Sequence, residues 1–328
     1  MPAAALDSEP MLFALDSSRP FGEAVAERMG MTLSPHEERV FDDGEHKLRP
    51  LTNARDRDIY VLQSLQADSG LSGNDKLMRL LFFIGTLRDA GAGRITAATP
   101  YLAYARMDRK TRPRDPVATR YVAALFEAVG TDAVLAMDVH NLAAFQNAFR
   151  CRTEHLEANP LFTDHFAAVL RSRKVAVVSP DSGGVGRAEG LRRMLADALG
   201  HPVAAAFMEK HRHDGGLSGD ALVGEVAGRE VVLVDDMVST GATLARAANA
   251  CRAAGAAQVH AAISHGLFNG HAYANLSVML DSMVVTDSVP PPADAAKPPL
   301  TVLSCAPLFA DAISRLHTGG SVSQLAEG

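Results

Sequence analysis

The residues best suited to chemistry lie in one stretch, Arg229 to Arg246, which reads Arg-Glu-Val-Val-Leu-Val-Asp-Asp-Met-Val-Ser-Thr-Gly-Ala-Thr-Leu-Ala-Arg. Val231 to Val234 is an apolar, β-branched run of the kind that forms a strand buried on both faces of a parallel sheet. Two carboxylates, Asp235 and Asp236, follow at once. A turn of hydroxyl-bearing and small residues comes next, Ser239, Thr240, Gly241, Ala242 and Thr243, and Leu244 opens a helical pattern. Backbone N–H groups at a helix start, with loop hydroxyls beside them, can hold a phosphate dianion. The carboxylates can accept hydrogen bonds from sugar hydroxyls, or sit near Mg2+ carried by substrate oxygens. Such a stretch reads as a sugar-phosphate site.

A plainer account is that the acids end a strand and Thr240 caps a helix. Paired acids at the carboxyl end of a buried strand weigh against it, because ligands of open α/β sheets bind there. Other strand ends carry polar groups too. Phe41-Asp-Asp-Gly-Glu45 is by itself an ordinary turn. Tyr101 to Lys110 runs into Thr111-Arg-Pro-Arg114 and places five basic residues between 106 and 114. Clustered arginines suit a polyphosphate, although a solvated loop has the same composition. His140 stands just past a strand end, and spacing leaves its role open. Ser179-Pro-Asp-Ser-Gly-Gly184 sets an acid and two glycines after another strand, and glycine lets a ligand approach the backbone. Gly184 and Gly186 lack the third glycine of a dinucleotide fingerprint, which argues against a Rossmann dehydrogenase. Glu209-Lys-His-Arg212 follows a further strand and reads equally as a basic loop.

Strands are expected at 11–15, 59–63, 94–99 and 132–138, with helices at 20–30, 73–90 and 116–129. The second half repeats the plan, with strands near 174–179, 203–208, 230–235, 257–263 and 280–285. Helices are expected there at 184–199, 241–254 and 306–316. The alternation predicts an α/β fold with mainly parallel sheets. Arg88-Asp-Ala-Gly-Ala-Gly-Arg-Ile-Thr-Ala-Ala98 parallels Arg252-Ala-Ala-Gly-Ala-Ala-Gln-Val-His-Ala-Ala262, an echo that suggests duplication. The first copy carries Gln63-Ser64 where the second carries Asp235-Asp236. The expected domains are 11–152 and 153–300, after a loose tail at 1–10. A Pro/Ala loop near 290–299 comes before a final segment, 301–328, that packs back on the body.

The 328 residues are 47% hydrophobic and 21% charged, with net charge −6. That balance argues against a nucleic-acid surface built on bulk charge. No apolar run is long enough to span a bilayer. The first ten residues lack the apolar core of a signal peptide. Three widely spaced cysteines, Cys151, Cys251 and Cys305, suggest neither a disulfide framework nor a zinc site, and fit a reducing cytoplasm.

The 235–243 stretch resembles the PRPP-binding motif of type I phosphoribosyltransferases. Taken in order with Phe41–Glu45, Asn74–Met78, Tyr104–Lys110, Arg112–Arg114, Met137–His140, Ser179–Gly184, Lys210–Arg212 and Ser321–Leu325, it resembles the ribose-phosphate diphosphokinase (PRPP synthetase) family. The resemblance covers nearly the whole chain and points to a divergent bacterial-type member. It implies two tandem type I phosphoribosyltransferase-like domains, each a mainly parallel sheet flanked by helices. It implies transfer of the diphosphoryl group of ATP to ribose 5-phosphate with Mg2+, in dimers that build a hexamer. By the same resemblance, Phe41, Asp43 and Glu45 hold adenine, and Arg106, Met107, Asp108 and Arg109 belong to the ATP site. His140 and Asp181 match the metal site, Lys210 and Arg212 the catalytic pair. Asp235, Asp236 and residues 239–243 face ribose 5-phosphate. Met107 replaces a common Gln, His211 a basic residue, and Ser239 a third acid. A phosphoribosyltransferase that consumes PRPP, or a non-catalytic regulatory homologue, remains an alternative.

Overall fold

The apolar runs that read as strands are buried along their full length in β1, Met11–Ala14, and in three more, as strands covered by helices on both faces must be. In the computed structural model, which describes residues 9–211, 219–291 and 299–326 (leaving aside the side chains of 210, 211, 219, 220 and 326), they belong to two separate sheets. The chain forms two compact units, Met1–Glu157 with Cys305–Gly328, and Ala158–Ser304. The residues from 292 to 298 in the expected Pro/Ala loop lie outside the described residues.

The first unit runs β1, α1 (Arg19–Arg28), β2 (His36–Val40), β3 (His46–Pro50), β4 (Asp58–Leu62), α2 (Gly73–Asp89), β5 (Arg94–Thr99), α3 (Ala118–Ala128), β6 (Ala133–Met137), α4 (Leu142–Ala148) and β7 (Arg152–Leu156). Its parallel sheet has the order β1-β4-β5-β6-β7, and β2 pairs with β3 as a separate hairpin. Helix α2 starts with a capping box: Ser72 Oγ accepts the Asp75 N–H at 3.2 Å, and Asp75 Oδ2 accepts the Ser72 N–H at 2.8 Å. The apolar face read from its period, Leu77, Leu80, Leu81, Ile84 and Leu87, is buried in the first core.

The second unit runs α5 (Asn159–Val169), β8 (Val175–Ser179), α6 (Val185–Leu199), β9 (Ala204–His211), β10 (Gly219–Gly224), β11 (Glu230–Val238), α7 (Ala242–Ala253), β12 (Gln258–Gly266), α8 (Ala272–Ser277), β13 (Ser282–Thr286) and β14 (Leu300–Leu303). The sheet order is β10-β9-β8-β11-β12-β13-β14, parallel except for the antiparallel edge pair β10 and β9. The chain then returns to the first unit as α9 (Ala306–Thr318), which packs on α1, with Phe309 meeting Phe21 edge-on at 5.5 Å. His317 Nδ1 lies 2.7 Å from Oδ2 of the buried Asp58, whose other oxygen accepts from Arg94 Nε at 2.7 Å. That network fixes the end of α9 to the first sheet.

The two sheets share one plan. The order β1-β4-β5-β6-β7 in one matches β8-β11-β12-β13-β14 in the other, each with a helix after its first strand and a hairpin before its second. The echoed arginines do the same work in both. Arg88 donates to the Gly130 carbonyl and to Asp132, and Asp132 Oδ2 accepts the Ile95 N–H at 2.7 Å. Arg252 donates to the Met279 carbonyl and to Asp281, and Asp281 Oδ2 accepts the Val259 N–H at 2.7 Å. In each copy an arginine at a helix end clamps the approach to a later strand. This shared wiring goes beyond what similar Ala/Gly-rich helix ends produce by chance.

Candidate active site

Strand β11 runs buried from Glu230 to Val234, and the two acids follow within the strand, ahead of its buried last residue Val238. The Asp236 N–H donates to Asp235 Oδ1 at 2.9 Å, so the pair is locked together through the backbone. Arg187, in the first turn of α6, brings Nη1 to 3.3 Å from Asp236 Oδ1 and 3.9 Å from Asp235 Oδ1. Burial first, and the Asp236 carboxylate second, push the Asp235 carboxyl well above the usual carboxylate range; Arg187 opposes them, and Asp181 adds to them.

After the acids the chain crosses an open loop. Gly241 takes φ +77° and ends it, and a Cβ there would lie 2.9 Å from Leu276 Cδ1. Glycine meets both demands. The helix therefore begins at Ala242, with Gly241 as its cap and no side-chain cap, rather than after Thr243 or on Thr240. The first intrahelical bond runs from the Ala245 N–H to the Gly241 carbonyl at 2.9 Å. The N–H groups of Ala242, Thr243 and Leu244 precede that ladder, as an anion cradle requires. Ser239 Oγ accepts from Asn269 Nδ2 at 3.1 Å, which leaves its own proton to donate outward. Arg187 and Asn269 are absent from the set read from the sequence.

The other strand ends of this sheet stand beside the pair. Neighbour β8 leads into the Asp181 turn, in which Asp181 Oδ1 accepts the N–H groups of Gly183 and Gly184 at 2.9 and 3.1 Å. Its Oδ2 has no partner among the described residues, so a hard oxygen donor is presented for a cation. Strand β9, next again, carries Lys210 at its carboxyl end. Arg212 lies outside the described residues. The order β9-β8-β11 thus sets Lys210, Asp181 and the acid pair on three adjacent strand ends.

In the first unit, β5 and β6 are neighbours and lead into the Tyr101–Asp115 loop and to His140. Asn141 Nδ2 donates to Asp108 Oδ2 at 2.6 Å and Asn141 Oδ1 caps α4, so the loop and the His140 turn are tied together. Tyr104 and Asp138, neither a glycine, adopt φ of +64° and +38° in these turns, and such conformations persist where the surroundings over-determine them. Arg106, Met107 and Arg109 are exposed, as is His140. Phe41, Asp43 and Glu45 form the exposed tip of the β2–β3 hairpin, closed by the Phe41 N–H on the Glu45 carbonyl at 2.8 Å. Among the described residues no hydrogen bond or ion pair joins that tip to Arg106–Arg109.

A further group close enough to share a cation is Asp16, His36 and Glu38. Glu38 is already held there by the Asp16 N–H at 2.6 Å, His36 Nε2 at 3.1 Å and Arg79 at 3.3 Å, which makes it an internal ion-pair cluster.

The crowding of Asp235 has a measurable consequence. A carboxyl whose folded pKa is raised takes stability from the fold as pH climbs from its unfolded value through its folded one. Asp235→Asn removes that loss. Its melting temperature should exceed that of the natural protein by about 2–4 °C above neutrality, with the gap closing toward pH 4. Calorimetry over that range checks it; a gap that widens on acidification contradicts the burial argument.

The comparisons with known proteins agree with this geometry. Residues 10–130 match the family model described as the N-terminal domain of ribose phosphate pyrophosphokinase, and residues 154–294 match the phosphoribosyl transferase domain. The chain is 37% identical over 317 residues to a ribose-phosphate pyrophosphokinase of Hyphomonas neptunium, covering 96% of this chain and 98% of that one. It is 37% identical to the Synechocystis protein of the same name, covering 96% and 92%. Among solved structures, phosphoribosylpyrophosphate synthetase from Mycobacterium smegmatis superposes with a TM-score of 0.86 at 35% identity, over 95% of this chain and all of that one. The chain belongs to the ribose-phosphate pyrophosphokinase family.

Proposed function

We propose that this protein transfers the diphosphoryl group of Mg-ATP to the anomeric hydroxyl of ribose 5-phosphate, giving PRPP and AMP. The carrying observation is the full-length likeness to relatives named for that reaction. The site chemistry supports it. Asp235 and Asp236 accept from the ribose hydroxyls, and the N–H groups at the start of α7, with Ser239, Thr240 and Thr243, take the 5-phosphate. The anomeric oxygen attacks the β-phosphorus, the bond from that phosphorus to the α–β bridging oxygen breaks, and AMP leaves. The hydroxyl proton passes to solvent.

Positioning and neutralisation of charge carry most of the work in such a transfer. Lys210, Arg212 and Arg106 are the cations assigned to the phosphates, with Met107, Asp108 and Arg109 beside them. His140 and Asp181 are each assigned to Mg2+ brought in with ATP, which would screen phosphate charge. Phe41, Asp43 and Glu45 are assigned to adenine. The detached position of their hairpin tip supports a site shared between subunits of a dimer or hexamer. No helix among the described residues is long and apolar enough to cross a membrane, and we assign the protein to the cytoplasm.

Incubation with Mg-ATP and ribose 5-phosphate should release AMP and PRPP in equal amounts. Lys210→Ala should slow this by about 100- to 1000-fold, as loss of one charge-stabilising donor does, with folding intact by circular dichroism. Near-normal turnover removes Lys210 from the mechanism, and PRPP consumption with a nucleobase replaces the reaction altogether. Light scattering should find dimers or larger assemblies in active preparations; a fully active monomer refutes the shared adenine site.

A further inference from the structure

One partly buried cation beside the acid pair, Arg187, has no role yet in the reaction. Arg187 is the third residue of α6, and its side chain is 16% exposed. Cations are disfavoured in the first turn of a helix, where the macrodipole presents its positive end, and no acid shares that turn. A local rule broken in this way points to a site nearby. The surroundings show what holds the residue there. Gly184 precedes the helix, and a Cβ on it would lie 2.7 Å from Ser179 Oγ and 3.7 Å from Arg187 Nη1. The guanidinium therefore lies close over the Asp181 turn. Across from it stand the two carboxylates, at 3.3 and 3.9 Å.

The contact is ionic only. Among the described residues the guanidinium makes no hydrogen bond, so its forked N–H donors are uncommitted. Its unpaired donors are not among the buried unsatisfied atoms and so stay open to solvent or a ligand, whereas a structural arginine would use them on carbonyls or carboxylates. Arg88 and Arg252 do so in this protein. Arg187 has instead the placement of a counter-ion to a pair of acids that must stay open to a ligand.

We propose that Arg187 is a positioning residue for ribose 5-phosphate, holding Asp235 and Asp236 as a preformed pair of acceptors for the sugar hydroxyls. The inference rests on the assignment of those acids to the ribose. Two adjacent carboxylates repel each other and draw in water. A cation behind them offsets the repulsion and fixes their direction, so the sugar meets acceptors already in place. Because Arg187 acts on the ground-state sugar complex through the acids, its removal weakens sugar binding far more than nucleotide binding.

The test is steady-state kinetics on Arg187→Met, which keeps the aliphatic stem, and Arg187→Lys, which keeps the charge and loses the fork. Calorimetric titration of ribose 5-phosphate without ATP accompanies it. The KM for ribose 5-phosphate should rise about 10- to 100-fold in the Met variant, which corresponds to about 1.4–2.8 kcal/mol. The KM for Mg-ATP should change less than about threefold, and calorimetry should show the same loss. The Lys variant should fall between the natural protein and the Met variant. If Arg187→Met fails to fold, Arg187→Lys decides alone: a raised sugar KM with an unchanged nucleotide KM supports the inference. Unchanged sugar KM in a folded variant overturns it, as does a fall in kcat alone. A natural protein that neither binds ribose 5-phosphate nor forms PRPP overturns the assignment of the site itself, and that result comes before any variant is made.

Discussion

Two carboxylates forced side by side at the end of a buried strand are the constraint around which the second unit is built. Nothing in strand packing asks for them, since burial and mutual repulsion both oppose their charge. They are retained at a cost, with Arg187 as the counter-ion and the N-terminus of α7 close by. The cost fits a ligand rich in hydroxyls with a phosphate at one end. The β-branched run of β11 holds the backbone rigid up to the acids, the strand continues to the buried Val238, and the loop that follows carries the exposed Thr240. Rigid support followed by an open loop is what a preorganised site needs.

The same chain carries a second copy of this fold without the acids. At the matching strand end of the first unit, Gln63 Nε2 donates to Ser17 Oγ at 2.8 Å and the Ser64 N–H donates to Ser18 Oγ at 2.9 Å. The sheet order, the hairpin position and the Arg–Asp clamp are common to both copies, while the chemistry at the strand ends has diverged. In the first copy the neighbouring strand ends carry the basic Arg106–Arg114 loop and His140, groups suited to a nucleotide. Duplication followed by division of labour accounts for a two-substrate enzyme assembled from one fold.

Much of this was legible in the residues themselves. Buried parallel strands announce themselves as apolar runs, and β4, β6, β8 and β11 stand where such runs do. The acid pair and the Gly241 loop were visible because their residue types are costly anywhere but at a site. The hairpin β2–β3 was missed because His36–Val40 and His46–Pro50 are charged and half exposed, with no apolar run to read. Edge strand β7 escaped for the same reason, and α4 and α8 are too short to show a helical period. Arg187 went unnoticed because one arginine in a helix is unremarkable until the structure sets it against acids 48 and 49 positions later in the chain. Its misfit with the helix dipole was the available signal.

The central claim is that the second copy, and not the first, receives the sugar phosphate. A crystal structure of the protein with ribose 5-phosphate and Mg2+ tests it most directly. The account places the 5-phosphate on the N–H groups at the start of α7 and the ribose hydroxyls on Asp235 and Asp236. Sugar phosphate bound at the Gln63–Ser64 strand end, with the 239–243 loop empty, contradicts it.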